Sequence, residues 1–177
     1  MDRKWEIVLG GVGGQGLMIA GNLLGRAAVE QEGRQAVMTS VFGVETRGTF
    51  TKSDVIISNQ PIFHPEALHP DVVIALDVAA YQRYVGLGEE TLLIYDDKFP
   101  SEESKARQKG YPIGALAREV GNPAVANVVA LGILIKETGV VAAESVIAAI
   151  RDEFAERENV INMNLKALQA GLDATSS

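Results

Sequence analysis

The chain has 177 residues, of which 47% are hydrophobic and 22% are charged, and it carries a net charge of −7. These values are ordinary for a globular protein and argue against a fibrous or wholly disordered chain. The sequence contains no cysteine, which excludes disulfides and thiolate ligands for zinc or an iron–sulfur cluster.

The first 40 residues predict a strand, a glycine turn, a helix and a second strand. The apolar run at 7–9 ends in glycines, which is typical of a strand buried on both faces. Apolar residues from Leu17 to Ala28 recur at helical spacing, and Gly33 suits the end of that helix. Residues 36–39 predict the second strand, so this region is interpreted as a βαβ unit.

The middle of the chain alternates apolar runs with glycine, proline and polar segments. The predicted elements are a loop over 42–49, strands over 50–58, 71–77 and 91–96, a short helix over 78–84, and a polar, exposed segment over 97–110.

The last third of the chain predicts helices. Asn122 and Pro123 suit a helix start, and Gly139 suits a helix end. The helix from Ala124 to Ile135 is apolar all round, so it is either a central core helix or a helix that meets a partner subunit. Asn127 would need a hydrogen-bond partner in either setting, because an unpaired buried amide costs about 1–3 kcal/mol. We expect one α/β domain spanning residues 1–177.

The segment from Gly11 to Gly16 reads G-V-G-G-Q-G and matches G-x-G-x-x-G between a strand and a helix. Glycines allow a tight turn and a close approach to a phosphate, while the helix start offers free amides and a positive dipole end. The alternative is a turn that only packs helix against strand. Residues 36–40 place no acid at the second strand's end to hold an NAD ribose, and Arg34 precedes that strand, so NADP is little better supported.

These motifs together resemble one family. The glycine loop with Gln15 and the segment F-G-V-E-T-R-G at 42–48 are similar to the gamma subunit, or gamma domain, of the 2-oxoacid:ferredoxin oxidoreductases. The resemblance covers nearly the whole chain and continues through the following positions: Pro70, Asp71, Ala75, Leu76, Ala80, Tyr81, Asn127, Leu131, Gly132, Asn164, Ala167, Leu168 and Gly171. Phe42, Thr49 and Asp77 depart from the family pattern, where Tyr, Gly and Asn are usual.

The resemblance implies a Rossmann-like three-layer fold with a largely parallel central sheet and a helical C-terminal third. It also implies a complex that converts a 2-oxoacid and coenzyme A to acyl-CoA, carbon dioxide and reduced ferredoxin. Coenzyme A would be a substrate, and no cofactor would be bound tightly by this chain alone. Thiamine diphosphate and iron–sulfur clusters would lie on alpha and beta subunits, with or without a delta subunit, and ferredoxin would act through the complex. The identity of the 2-oxoacid is left open.

The candidate binding residues follow from the same resemblance. Amides of Gly11, Gly13, Gly14 and Gly16 would hold a phosphate of coenzyme A, and Gln15 offers both a donor and an acceptor. Arg47 would contact a phosphate or carboxylate, with Glu45 orienting it and Gly48 beside it. The alternative for the Glu45–Arg47 pair is an exposed loop with no role. No catalytic residue and no metal ligand is assigned.

Two other functions remain open at this point. The glycine loop also fits a free-standing NAD(P)- or flavin-binding oxidoreductase, or a non-catalytic module that senses a nucleotide. The sequence contains no basic run and no apolar stretch of roughly 20 residues, so we expect a cytoplasmic protein with neither nucleic-acid nor membrane partners.

Overall fold

A computed structural model of the protein describes residues 3–42 and 49–176, which form six strands and six α-helices. The strands are β1 (Trp5–Val12), β2 (Gln35–Val41), β3 (Phe50–Ser58), β4 (Val72–Ala75), β5 (Leu92–Asp96) and β6 (Arg107–Tyr111). The helices are α1 (Leu17–Arg26), α2 (Val78–Tyr84), α3 (Ile113–Val120), α4 (Ala126–Thr138), α5 (Ala143–Glu153) and α6 (Glu158–Asp173). A π-helical turn (Ala27–Gln31) continues α1, and a 3₁₀ turn (Pro123–Val125) precedes α4.

All six strands form one sheet in the order β2-β3-β1-β4-β5-β6. Strands β1, β4, β5 and β6 are parallel, whereas β3 runs antiparallel to both of its neighbours, β1 and β2. The prediction of an α/β fold with a largely parallel sheet is therefore confirmed. The βαβ interpretation is confirmed, because β1 and β2 flank α1 in the chain and run parallel in one sheet. The sequence did not show that β3 lies between these two strands.

Helices cover both faces of this sheet, most of them on one side. The larger core joins alternate strand residues such as Ile7 and Ile74 to Leu24 of α1 and Leu131 of α4. The smaller core, on the other face, packs Val8 and Leu93 against Ala80 and Tyr81 of α2. Buried strand residues alternate between the two cores as the pleat requires, so both faces of the central strands are dry.

Helix α4 is the central core helix that one reading of the sequence proposed. All nine residues from Asn127 to Ile135 are buried within the chain, and the helix contacts α1, α3 and α6. The closest approach is to α6, where Gly132 and Gly171 meet. A Cβ on Gly132 would lie 2.3 Å from the Leu168 carbonyl oxygen, and a Cβ on Gly171 would lie 2.0 Å from the Val129 carbonyl oxygen. The absence of side chains at these two positions lets the helices pack at this distance.

The expectation of a polar, exposed segment over 97–110 was wrong in its second half. Residues 107–111 form β6, the edge strand of the parallel part of the sheet, and Ala106 and Gly110 are buried. This strand has charged residues at Arg107 and Lys109 because one of its edges faces solvent. Its polar sequence therefore hid it from a search for apolar runs.

Candidate functional site

The glycine loop lies at the carboxyl end of β1, where it turns directly into α1. Gly14 and Gly16 have positive φ angles of 93° and 70°, a backbone conformation that side chains disfavour. Gly16 is the N-cap of α1 and supplies no side chain to the free amides of the first turn, which also contains no acidic residue. The positive end of the α1 dipole is therefore not neutralised by a carboxylate in that turn.

Gln15 holds the loop in shape from inside. Its Oε1 accepts a hydrogen bond from the Val12 amide at 2.9 Å, and its Nε2 donates to the Leu76 carbonyl at 2.9 Å. The side chain thus ties the loop to the end of β4. Gly11 leaves the space for it, because a Cβ there would lie 2.3 Å from Gln15 Oε1. The structure gives Gln15 a positioning role, and it places Gly11 in a buried part of β1.

Asn127 supports the loop from the helical layer. Its Nδ2 donates to the Gly16 carbonyl at 2.9 Å, and its Oδ1 accepts from the Val128 amide at 2.9 Å. The sequence analysis required a partner for this buried amide without naming one, and the structure shows that the partner is the glycine loop. A Cβ on Gly16 would lie 2.5 Å from Asn127 Nδ2, so this glycine serves both the turn and the contact.

Gly13 and Gly14 form the exposed crest of the loop. An added Cβ at either position would meet no atom within 4 Å. The amides of Gly13, Gly14 and Gly16 donate no hydrogen bond within the described residues. Three backbone donors therefore remain available to a ligand beside the free start of α1.

A cleft of about 350 Å³ opens beside this crest. Its lining residues are Val12, the loop, Leu17, Met18, Ile19, Phe42 and the stretch from Thr51 to Ser53 on β3. Most of this lining is apolar, and Met18, Ile19 and Phe42 are all exposed. Thr51 is 9% exposed, and its hydroxyl has no hydrogen-bond partner in the described part of the chain. The site therefore combines backbone amide donors with a largely apolar cleft.

The predicted binding residues Glu45, Arg47 and Gly48 lie outside the described residues. The chain enters that segment from Phe42, which lines the cleft, and returns at Thr49. The next residue, Phe50, pairs with Val12 at the start of the glycine loop. Both ends of the segment thus lie close to the candidate site.

The sheet order bears on the dinucleotide alternative. In dinucleotide-binding folds, the acid that holds the ribose follows the strand that neighbours β1 on that side. Here the neighbour is β3, which runs in the opposite direction and begins rather than ends beside the loop. The arrangement therefore lacks the strand end from which such a ribose contact is made.

Other side chains singled out by the sequence have local roles. Asp77 accepts from the Ala79 amide and caps α2, while Asp96 accepts from the amides of Lys98 and Gly114. His64 and His69 are exposed, and the described residues contain no group of three or more potential metal ligands. Over the same residues, every helix is too short or too polar to cross a bilayer.

One charged cluster lies far from the cleft, at the opposite edge of the sheet. Glu137 of α4 pairs with Lys109 at 2.5 Å and accepts a hydrogen bond from the Tyr111 hydroxyl. Burial raises the pKa of Glu137, but the bonds from Lys109 and Tyr111 outweigh it and leave the pKa below its usual value. Burial, together with the bond to Glu137, raises the pKa of Tyr111. These groups anchor the end of α4 to β6.

Sequence reasoning missed how the site is supported. It treated Gln15 as a ligand donor and left the partner of Asn127 open, whereas both side chains brace the loop. Both belong to the family pattern, which was the available signal. Thr51 carried no signal because a threonine in a strand is unremarkable without its neighbours.

Comparisons with known proteins point to the same family as the sequence motifs. The family model described as pyruvate ferredoxin/flavodoxin oxidoreductase matches residues 6–174. The 2-oxoglutarate synthase subunit KorC of Methanocaldococcus jannaschii is 40% identical over 161 residues, covering 86% of this chain and 84% of that protein.

Two solved structures share the fold. The gamma subunit of a keto/oxoacid ferredoxin oxidoreductase from Geobacter sulfurreducens has a TM-score of 0.81 and 32% identity, and the match covers 97% of this chain and 95% of that one. A 2-oxoglutarate:ferredoxin oxidoreductase from Magnetococcus marinus, solved with 2-oxoglutarate, coenzyme A and succinyl-CoA, has a TM-score of 0.86 at 23% identity. That match covers 97% of this chain but 31% of the larger protein, and it shows the fold.

Proposed function

Because this chain belongs to the pyruvate ferredoxin/flavodoxin oxidoreductase family and is a gamma subunit of a 2-oxoacid:ferredoxin oxidoreductase, we propose that its glycine loop forms the coenzyme A side of the active site. The observation that carries the proposal is a set of three amides, at Gly13, Gly14 and Gly16, that bond to no described residue and lie beside an apolar cleft. The other subunits of the complex would perform the decarboxylation and electron transfer.

The amides and the α1 start suit the phosphates of coenzyme A. Unbonded backbone N–H groups beside the positive end of a helix dipole form a site for an anion. The chain's net charge of −7 opposes long-range attraction of an anionic ligand. Binding therefore depends on these short-range donors, and their placement by Gln15 and Asn127 matters to affinity.

The cleft suits the less polar arm of the same ligand. Val12, Leu17 and Met18 offer apolar walls, and the Thr51 hydroxyl offers one hydrogen-bonding group. An amide-containing chain with methyl groups, such as the pantetheine arm, matches this mixture. The thiol at the end of that arm would then leave this subunit and reach the acyl group on a neighbour.

The composition supports a partition of the cofactors among the subunits. The chain has no cysteine and no G-D-G run. We propose that thiamine diphosphate and the iron–sulfur clusters belong to alpha and beta subunits, with or without a delta subunit, and that electrons pass through these to ferredoxin. We further propose that Arg47, oriented by Glu45 and flanked by Gly48, contacts a phosphate or carboxylate.

The remaining parts of the proposal concern organisation and substrate. We take residues 1–177 as one domain of a cytoplasmic enzyme. The relative from Methanocaldococcus jannaschii is a subunit of a 2-oxoglutarate synthase. We therefore propose 2-oxoglutarate as the first 2-oxoacid to test.

Reconstitution tests this function directly. The subunits are produced with and without this chain, and 2-oxoglutarate- and coenzyme A-dependent reduction of ferredoxin is measured together with acyl-CoA formation. We expect activity from the complete complex, none from this chain alone, and loss of acyl-CoA formation when this chain is omitted. Full activity without the chain would contradict the proposal.

Equilibrium binding addresses the dinucleotide and flavin alternatives. NADH, NADPH and a flavin are titrated into the isolated chain, with coenzyme A in a parallel series. Micromolar affinity for a dinucleotide or a flavin would argue for a free-standing redox enzyme and against the role proposed here.

A further inference from the structure

Exposed apolar side chains concentrate around one edge of the sheet. In the described part of the chain, eight large hydrophobic residues are exposed, and six of them lie at the end of β2 or on segments that contact β2. We name these six the β2 surface: Met18, Ile19, Val29, Val41, Phe42 and Phe63. The remaining two are Leu68 and Val78. An exposed cluster of this kind marks an interaction site more often than it occurs by chance on a free surface.

The six residues lie on both sides of the sheet edge. Met18, Ile19 and Val29 come from α1 and its π-helical turn, which pack on one face beside β2 and β3. Phe63 comes from the coil between β3 and β4, which bonds to the side chains of Thr39 and Asp54 on the other face. Val41 is the last residue of β2, and Phe42 follows it directly. A segment placed along β2 would therefore have apolar side chains above and below it.

The coil that carries Phe63 is held in place by the sheet. The Thr39 hydroxyl donates to the Pro65 carbonyl at 2.9 Å, and the Ala67 amide donates to Asp54 at 3.2 Å. Asp54 is 1% exposed and also pairs with Lys52 at 2.6 Å. Phe63 itself is 84% exposed. The backbone two and four residues after Phe63 is thus bonded to β2 and β3. An exposed aromatic ring on a segment held in this way loses less freedom on binding than one on an untethered coil.

The two edges of the sheet are built differently. The β6 edge contains Arg107 and Lys109, charged residues that prevent unwanted pairing with another strand. The β2 edge has the sequence Q-A-V-M-T-S-V, with no charged residue. Its outer backbone groups make no backbone hydrogen bond to any described residue. An uncharged edge with free N–H and C=O groups recognises one kind of partner, an extended strand.

We propose that a catalytic subunit of the oxidoreductase docks on the β2 surface by adding an extended apolar segment to β2. The proposal rests on the function proposed above. Met18, Ile19 and Phe42 belong to both the β2 surface and the cleft beside the glycine loop, so the two are continuous. The subunit that receives the coenzyme A thiol must face that cleft. Because the cleft and the β2 surface are continuous, the same subunit would also contact β2.

A second copy of this chain is a less suitable occupant. If another copy of this chain covered the β2 surface, the cleft would face a chain that has no cysteine to hold an iron–sulfur cluster. Each copy also carries a net charge of −7, which disfavours self-association. Self-association is therefore an outcome that would contradict the proposal.

The test measures binding of the full chain to its catalytic subunits. Phe63→Asp and Val29→Asp place a carboxylate on the β2 surface, and Val78→Asp makes the same kind of change at an exposed hydrophobic residue outside it. We expect the first two variants to raise the dissociation constant at least about tenfold, and Val78→Asp to change it less than about twofold. Thermal unfolding of the isolated variants should match the wild type, because all three side chains are substantially exposed.

Hydrogen exchange tests the added strand separately. On assembly, the outward-facing amides of β2 should become protected, whereas those on the outer edge of β6 should not. Unchanged exchange in β2, equal weakening by Val78→Asp, or a dimer of the chain alone that Phe63→Asp disrupts would each overturn the proposal.

Activity distinguishes this proposal from the proposed function. At subunit concentrations well above the dissociation constant, the Phe63→Asp complex should show the wild-type KM for coenzyme A. An assembled wild-type complex without coenzyme A-dependent activity would contradict the function while leaving the docking measurement valid.

Discussion

Glycines have opposite roles in two regions of this molecule, the α4–α6 crossing and the glycine loop. At the α4–α6 crossing, Gly132 and Gly171 have no side chain because backbone atoms fill the space, with carbonyl oxygens 2.3 and 2.0 Å from the added Cβ positions. On the crest of the loop, Gly13 and Gly14 have no neighbour within 4 Å of an added Cβ. The same residue type is required by packing in one region and leaves backbone donors uncovered in the other.

This contrast separates structural from functional glycines without knowledge of a ligand. A glycine whose Cβ position is occupied by backbone is explained by the fold alone. Gly13 has free space and no positive φ, so folding does not require it to be a glycine. The remaining explanation is that a glycine at this position keeps its amide accessible to a ligand. Substitutions at each kind of glycine test the packing explanation and the access explanation separately.

The largest effect is expected from Gly171→Ala. The added methyl group meets the Val129 carbonyl and the Gly132 Cα, both backbone atoms that cannot turn aside. The helices must separate, and we expect the free energy of unfolding to fall by about 3 kcal/mol or the chain to fail to fold. Urea unfolding followed by circular dichroism provides the measurement.

Gly25→Ala is the matched control for that substitution. Gly25 lies within α1, and its nearest neighbour, the Cβ of Ala36, is 3.8 Å from the added atom, an ordinary contact. Alanine should stabilise this helix by up to about 1 kcal/mol. Equal stability of Gly171→Ala and wild type would show that the crossing is not as tight as described.

A smaller effect is expected from Asn127→Ala. Asn127 connects the two regions, because it lies in α4 and bonds to Gly16 of the glycine loop. The substitution removes the hydrogen bond from Asn127 Nδ2 to the Gly16 carbonyl and leaves a small cavity. We expect a loss of about 1–3 kcal/mol and faster amide exchange in the glycine loop. Asn159→Ala, at an exposed position of α6, should change neither. A loop that exchanges at the wild-type rate in Asn127→Ala would remove this residue from the support of the site.

The smallest effect concerns the other end of α4, where Glu137→Gln should change the pH dependence of stability. The folded pKa of Glu137 is lowered by Lys109 and Tyr111 despite burial, which opposes them. Its contribution is therefore complete above the ordinary glutamate pKa and is lost as the pH falls through the lowered value. The stability difference between wild type and variant should narrow between about pH 7 and pH 3.

The control for this pH series is Glu119→Gln, at an exposed glutamate that forms no ion pair with a described residue. It should follow the wild-type curve. A constant difference for Glu137→Gln across the pH range would mean that the charge of this carboxylate does not anchor α4.

The fold was predictable wherever local pattern is sufficient. The bounds of α2 were predicted to the residue, and the apolar pattern of α4 reflects its complete burial. Two features required knowledge of the tertiary structure. Periodicity shows that β3 is a strand but not that it lies between β1 and β2, and the charged residues of β6 are typical of both an edge strand and a loop.

The candidate site was predictable as a location but not as a mechanism of support. The glycine pattern located the loop because it depends on consecutive residues. Its two braces depend on contacts across 61 positions for Gln15 with Leu76 and 111 positions for Asn127 with Gly16. Pairings at such separations are set by the whole fold. The family resemblance indicated these residues without showing what they contact.

The KM for coenzyme A of the assembled Gly13→Ala enzyme tests most directly whether the glycine loop binds coenzyme A. The methyl group meets no protein atom, so stability should be unchanged or rise by about 0.4–1 kcal/mol. We predict a KM for coenzyme A at least about tenfold higher, as expected when about 1.4 kcal/mol of binding is lost, with the KM for the 2-oxoacid unchanged. Gly86→Ala, at another glycine whose Cβ position is open, should leave both values unchanged. A wild-type KM for coenzyme A in a correctly assembled Gly13→Ala enzyme would contradict the assignment of the loop to this substrate.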